Sequence, residues 1–151
     1  MKALNACGVL KIDNDKAFQY PKFKLLFLLY LTICPIIYLS YMQQIREYFE
    51  RVSTLSESEW QLFSSKLIRR EFPKRTLLLK AGQTENYLSF VEKGIIRFFM
   101  PQEENELTFA FAFDNGFMSA YDSFLTRIAS IYQLQTLTET ILWSLTYRDL
   151  Q

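Results

Sequence analysis

Apolar residues change their rhythm twice along this chain. From Leu25 to Ile45 no charged residue occurs, and Leu25 to Met42 reads LLFLLYLTICPIIYLSYM, broken by Thr32, Pro35 and Ser40. A helical rhythm follows: Ile45, Phe49 and Val52 recur at i, i+4 and i+7 and predict a short amphipathic helix that stops near Ser53. Ser56 and Glu59 form the S-x-x-E pattern of a capping box, in which each side chain satisfies an otherwise orphaned backbone N–H. Leu55 and Trp60 sit where a hydrophobic staple would, and Trp60, Phe63 and Leu67 give this second helix its core stripe. From Ile68 onward helical spacing disappears. Short apolar runs separated by turn residues predict strands at Thr76 to Leu79, Tyr87 to Val91, Ile95 to Met100, Leu107 to Phe113, Ile131 to Leu137 and Ile141 to Leu145.

The breaks between these runs are turn chemistry: Gly82 after Lys80 and Ala81, Glu92-Lys93-Gly94, Pro101 to Glu106, and Asp114-Asn115-Gly116. Within the fourth run, Leu107, Phe109, Phe111 and Phe113 alternate with Thr108, Ala110, Ala112 and Asp114, so one face is large and the other small. The large face is expected to pack a core; the competing reading is that the alanine face makes room for a ligand. Several short strands at nearly regular spacing after two small helices predict a mainly β protein, an antiparallel β-roll or double-stranded β-helix of jelly-roll type with short flanking α-helices.

Length and composition narrow the chemistry. The chain has 151 residues, half of them apolar and 17% aromatic, with only four glycines and four prolines, which suits one domain plus an extension with a real core. It contains no histidine, which excludes Ser-His-Asp and Cys-His catalysis and histidine-ligated metals within the chain. Cupins share the jelly-roll outline but carry metal-binding histidines, so they are set aside. Glu103 and Glu104 fall in an exposed hairpin loop, where nothing would tune a carboxylate for general acid or base work, and no catalytic role or cofactor is expected. Seventeen basic against sixteen acidic residues give a net charge of +1, no footprint for gripping a phosphate backbone. The cluster Lys66, Arg69, Arg70, Lys74 and Arg75 spans a helix end and a turn around Pro73, and reads as a solvated edge. Cys7 and Cys34 form no C-x-x-C pair, and a cytoplasmic location suits the rest.

The first 41 residues differ in sign as well as texture, with five Lys against two Asp, whereas Met42 to Gln151 holds twelve basic and fourteen acidic residues. A span over Leu25 to Tyr41 has the length of a membrane helix, and Lys22 and Lys24 before it would keep the N-terminus inside. A signal peptide fits worse, because the leader is long, includes Asp13 and Asp15, and no A-x-A-like site follows. Three readings stand: a membrane anchor, a buried or interfacial helix, or an extension outside the natural product, with Met42 as the natural start. The domain boundary therefore falls at 41/42.

The order LLLKAG, YLSFVEKGIIRFF, an acidic hairpin, FAFDNGFMSAYDSF and IYQLQTLTETILWSLTYRDL resembles the cyclic-nucleotide-binding domain of Crp/Fnr transcription regulators, over Gln43 to Gln151. Gly82, Gly94 and Gly116 fall at that family's turns, Lys93-Gly94 matches its strand-ending pair, and Phe117 with Phe124 frames its short phosphate-binding helix. The resemblance implies a small-molecule pocket and a sensing role. It also implies a Gly-Glu-Leu turn and an Arg-Ser pair for the ribose and cyclic phosphate, and here the sequence departs. The turn reads Ser119-Ala120-Tyr121, and Ser130-Ile131 stand where Arg-Ser should. Without the guanidinium a phosphate loses a charge-assisted bidentate contact, so cAMP is not the expected ligand. The candidate ligand residues are Ser119, Ala120, Tyr121, Asp122 and Ser123, whose amides could form an anion nest, together with Arg127 and Ser130. Thr146 and Asp149 begin a further helix just before Gln151, where the family continues into a dimerisation helix and a helix-turn-helix. The expectation is thus a truncated sensory domain with an unknown small-molecule effector and no direct DNA binding of its own. The alternative is a membrane-anchored binding module held by Leu25 to Tyr41.

Overall fold

The computed structural model describes residues 38–51, 54–102 and 105–151. The chain divides into two units, Met1–Glu47 and Tyr48–Gln151, and the second carries the fold described below. Cys7, Cys34, Glu103, Glu104 and most of the proposed membrane span lie outside the described residues. Among those described, no helix is long and apolar enough to cross a membrane.

Helix α1 covers 38–50 and α2 covers Glu57–Lys66. Strands β1 (Ile68–Phe72), β2 (Leu77–Leu79), β3 (Tyr87–Lys93), β4 (Ile96–Pro101), β5 (Glu106–Ala112) and β6 (Phe117–Met118) follow, then helix α3 (Tyr121–Thr126), β7 (Gln133–Thr136), β8 (Thr140–Thr146) and a 3₁₀ turn at Tyr147–Leu150. The strands form two four-stranded antiparallel sheets, ordered β1-β8-β3-β6 and β2-β7-β4-β5. This is the mainly β roll that the strand spacing predicts. Leu79, Val91, Met118, Ala120, Leu134 and Leu142 meet in its core, drawn from both sheets and from the segment entering α3.

Local chemistry sets the ends of the elements. The Ser56 hydroxyl accepts the Glu59 N–H and the Glu59 carboxylate accepts the Ser56 N–H, which is the reciprocal cap expected from the sequence. Thr146 caps the final 3₁₀ turn, its hydroxyl accepting from the Asp149 N–H at 3.3 Å and donating to the Asp149 carboxylate. Within the second unit aromatic rings pack together: Phe49 lies 4.7 Å from Phe63 and 4.9 Å from Phe117, centroid to centroid, and Phe117 lies 5.2 Å from Phe90.

Two strands lie outside the pattern-based expectations. Strand β6 is only two residues long and carries no period. Strand β1 reads IRREF, and its charges hide it; the structure shows what they do. Arg69 forks onto Glu92 through Nε at 3.1 Å and Nη2 at 3.2 Å, while the Trp143 indole N–H donates to Glu92 at 2.8 Å. One buried carboxylate thus ties β1, β8 and β3 together, and Glu92 sits within the register slip between Val91 and Lys93 that turns it toward them. Arg70 lies 4.0 Å from the centre of the Tyr87 ring. The expected solvated edge is therefore, at Arg69 and Arg70, part of the sheet's construction.

The β3–β4 turn depends on Gly94. Its φ is +118°, and a Cβ there would lie 2.4 Å from Thr140 Oγ1 and 2.9 Å from the Glu139 carbonyl oxygen. The Gly94 N–H also donates to Asp114 Oδ1 at 2.6 Å, joining this turn to the one after β5. Gly94→Ala should destabilise the domain by about 2 kcal/mol or more, from left-handed strain and overpacking together. Urea unfolding measures this as a lowered midpoint at unchanged m; an unaltered midpoint would refute the account.

Candidate functional site

The short helix α3 is held by the loop that precedes β3, and one residue of that loop makes most of the connections. Glu85 is buried at 6% exposure. Its N–H donates to the Ser123 hydroxyl at 3.0 Å, and its carbonyl accepts from Arg127 Nη1 at 2.6 Å. Its carboxylate accepts from the N–H groups of Asn86 at 2.8 Å and Tyr87 at 2.9 Å, and the Ala120 amide also favours its charged form. Burial outweighs these donors and raises the Glu85 pKa above the ordinary 4.5.

The residues expected to bind a ligand separate into two groups. Ser123, Arg127 and Ser130 serve the scaffold. The Ser123 hydroxyl donates to the Ile128 carbonyl at 2.6 Å. Arg127 ends α3 in the left-handed region with φ of 63°, and its guanidinium bonds Glu85, Phe124 and Asn86 while stacking 4.0 Å over the Tyr147 ring. Ser130 donates through its hydroxyl to the Tyr132 carbonyl at 2.9 Å, and its backbone is bonded to Gly82 and Gln83. Ala120 is wholly buried at the start of α3 and makes no side-chain cap. Ser119, Tyr121 and Asp122, by contrast, come together on the wall of a cleft.

This cleft has a volume of about 710 Å³ and is walled by β5 and Phe98 on one side and by the segment from Gly116 to Asp122 with Tyr132 on the other. Leu107, Phe109, Phe111 and Phe113 are 52%, 49%, 51% and 59% exposed, so the large face of β5 does not pack the core as expected. The strand turns its small face inward: Thr108, Ala110 and Ala112 are the half-buried positions, and the large residues between them are exposed. Phe109, Phe111 and Phe113 border the cleft instead, beside Ala110 and Ala112. The Tyr132 ring meets Phe109 at 5.2 Å and Phe98 at 6.3 Å. Its hydroxyl donates to Asp122 Oδ1, and burial together with that bond pushes the Tyr132 pKa upward. Phe98, Phe109 and Tyr132 are not among the expected site residues; only the period-two pattern of β5 hints at them. A smaller groove of about 340 Å³ between Glu71, Lys93 and Glu139 carries both signs of charge and lies at strand ends. Among the described residues no cluster suits a metal ion.

Solved structures share this architecture. The cAMP-bound PfPKA-R matches with a TM-score of 0.64 at 15% identity, over 72% of this chain and 40% of that one. The Thermus thermophilus Catabolite Activator Protein matches with a TM-score of 0.55 at 23% identity, over 64% and 45%. The regulatory subunit of a cAMP-independent protein kinase A from Trypanosoma cruzi, bound to guanosine, matches with a TM-score of 0.64 at 14% identity, over 76% and 40%. The chain therefore has the cyclic-nucleotide-binding-like β-roll fold, and it spans less than half the length of each of these proteins. No family model and no curated protein matches the sequence.

The raised pKa of Glu85 has a stability consequence of definite sign. A carboxyl whose folded pKa lies above 4.5 contributes stability that is present below pH 4.5 and is lost as pH rises through the folded value. Glu85→Gln removes that dependence. The stability of the variant relative to wild type should rise in its favour above pH 4.5 and then level off. Chemical denaturation from pH 4 upward, at about half-unit steps, measures the difference; a difference that stays flat or shifts in favour of wild type over this window would contradict the assignment.

Proposed function

We propose that this chain is the effector-sensing module of a Crp/Fnr-like transcription regulator, non-catalytic and not responsive to cAMP, which leaves dimerisation and DNA contact to parts outside it. The observation that carries the reading is the cleft bordered by Ser119, Tyr121 and Asp122 at the entrance to α3 within a cyclic-nucleotide-binding-like roll. A concave site with an apolar wall and a few convergent polar groups is where such a fold would take a small molecule.

The exclusion of cAMP rests on side chains. A ribose hydroxyl would meet Ala120 rather than a carboxylate, and a cyclic phosphate would meet Ser130 and Ile131 rather than Arg-Ser. The Ser130 hydroxyl is already bonded to Tyr132, and Ile131 is exposed at 69%. Arg127 offers no substitute, because its fork is committed to Glu85 and Asn86. The cAMP independence of the Trypanosoma cruzi kinase is a property of that protein, yet it sets a precedent for the fold working with another effector. Calorimetric titration of the full chain with cAMP should show no saturable binding in the micromolar range. A micromolar or tighter complex would refute the cAMP exclusion.

A further inference from the structure

We infer that the cleft beside β5 takes an organic cation bearing a ring or bulky alkyl groups, an inference that rests on the sensing role proposed above. Two properties of the wall carry it. The first is its charge. Asp114 and Asp122 are the charged residues of the lining, and no Lys or Arg is among the described residues that line it. Each carboxylate commits one oxygen internally, Asp114 Oδ1 to the Gly94 N–H and Asp122 Oδ1 to the Tyr132 hydroxyl, and both of these donors are neutral. The negative charge of the wall is thus hydrogen-bonded but not neutralised from within it. Of the guanidinium groups around this part of the roll, Arg97, the cross-strand partner of Phe111, is held by Glu106 and Gln135, and Arg127 is held by Glu85, Asn86 and the Tyr147 ring.

The second property is its aromatic surface. Phe109, Phe111 and Phe113 present about half of their surface to solvent, and Tyr132 stands edge-to-face against Phe109 at an interplanar angle of 84°. Aromatic faces carry negative quadrupole potential, which attracts ammonium groups and repels phosphate oxygens. Carboxylates and ring faces of the same sign in one concavity select for a cation over an anion, and the apolar area selects for one with hydrocarbon substituents. The phosphate chemistry of the fold is thereby inverted at this site.

The test is a protein-observed NMR titration of the full chain with benzyltrimethylammonium, with its uncharged carbon isostere neopentylbenzene up to its solubility, and with cAMP. The cation should move the amide signals of Phe109 to Phe113 and of Tyr121 and Asp122 saturably, with at least about tenfold tighter binding than the isostere. Asp122→Asn keeps the acceptor for Tyr132 and should weaken the cation about fivefold while leaving the isostere unchanged, provided its unfolding midpoint matches wild type. Should that midpoint fall, Asp114→Asn supplies the same comparison. Equal binding of cation and isostere, or tighter binding of cAMP, would overturn the inference while leaving a sensing cleft in place. Silence of the cleft signals toward the cation would likewise overturn the inference.

Discussion

Glu85 is the joint on which the site is assembled. A six-residue helix cannot hold itself in place: it has too few internal hydrogen bonds to offset the order it requires. Here the backbone and the side chain of one buried residue fix it from below, through Ser123, Arg127 and the amides near Ala120. The cost is a desolvated carboxylate, seen in its raised pKa, and the result is a rigid floor beneath Ser119 and Tyr121. Once that floor is set, the polar groups of Ser119, Ser123, Arg127 and Ser130 have partners inside the protein.

That internal satisfaction is what the proposed exclusion of cAMP rests on. An anion site needs donors held ready and unpaired, whereas the cassette of this chain uses its donors to hold its own shape. The aromatic side of the cleft, from Phe109 to Phe113, carries few hydrogen-bonding groups and much exposed ring surface. A roll of this kind can keep its architecture while its loop residues change, because the strands fix the outline.

How much of this can be read from the sequence depends on the range of the interaction. Ser56 and Glu59, and Thr146 and Asp149, are partners three residues apart, and both caps form as their spacing predicts. The strands with apolar runs are legible for a similar reason, to within one or two residues at most of their ends. Strand β1 is not, since Arg69 is stabilised by Glu92, 23 positions away, and no local period encodes that. The β5 pattern announces a strand with a large and a small face but not which is covered, because that depends on which face the roll turns inward. Arg127 reads locally only as a pocket residue or a surface charge. Its actual place, folded back on Glu85 42 positions earlier, needs the three-dimensional path of the chain. The departure at Ser119-Ala120-Tyr121 and Ser130-Ile131 from the pattern that the resemblance implies is a matter of residue identity and is legible without a fold.

Phe117 belongs to two neighbourhoods at the same time. Its ring packs against Tyr48 at 5.1 Å and Phe49 at 4.9 Å in α1, and it also borders the cleft. A molecule that binds one setting of this ring more tightly than another biases the helix packing by that difference in affinity, and by thermodynamic reciprocity whatever grips the helices alters the cleft's affinity by the same factor. A change in the setting of this one ring would be felt both at the cleft wall and at Tyr48 and Phe49, because the same side chain touches both.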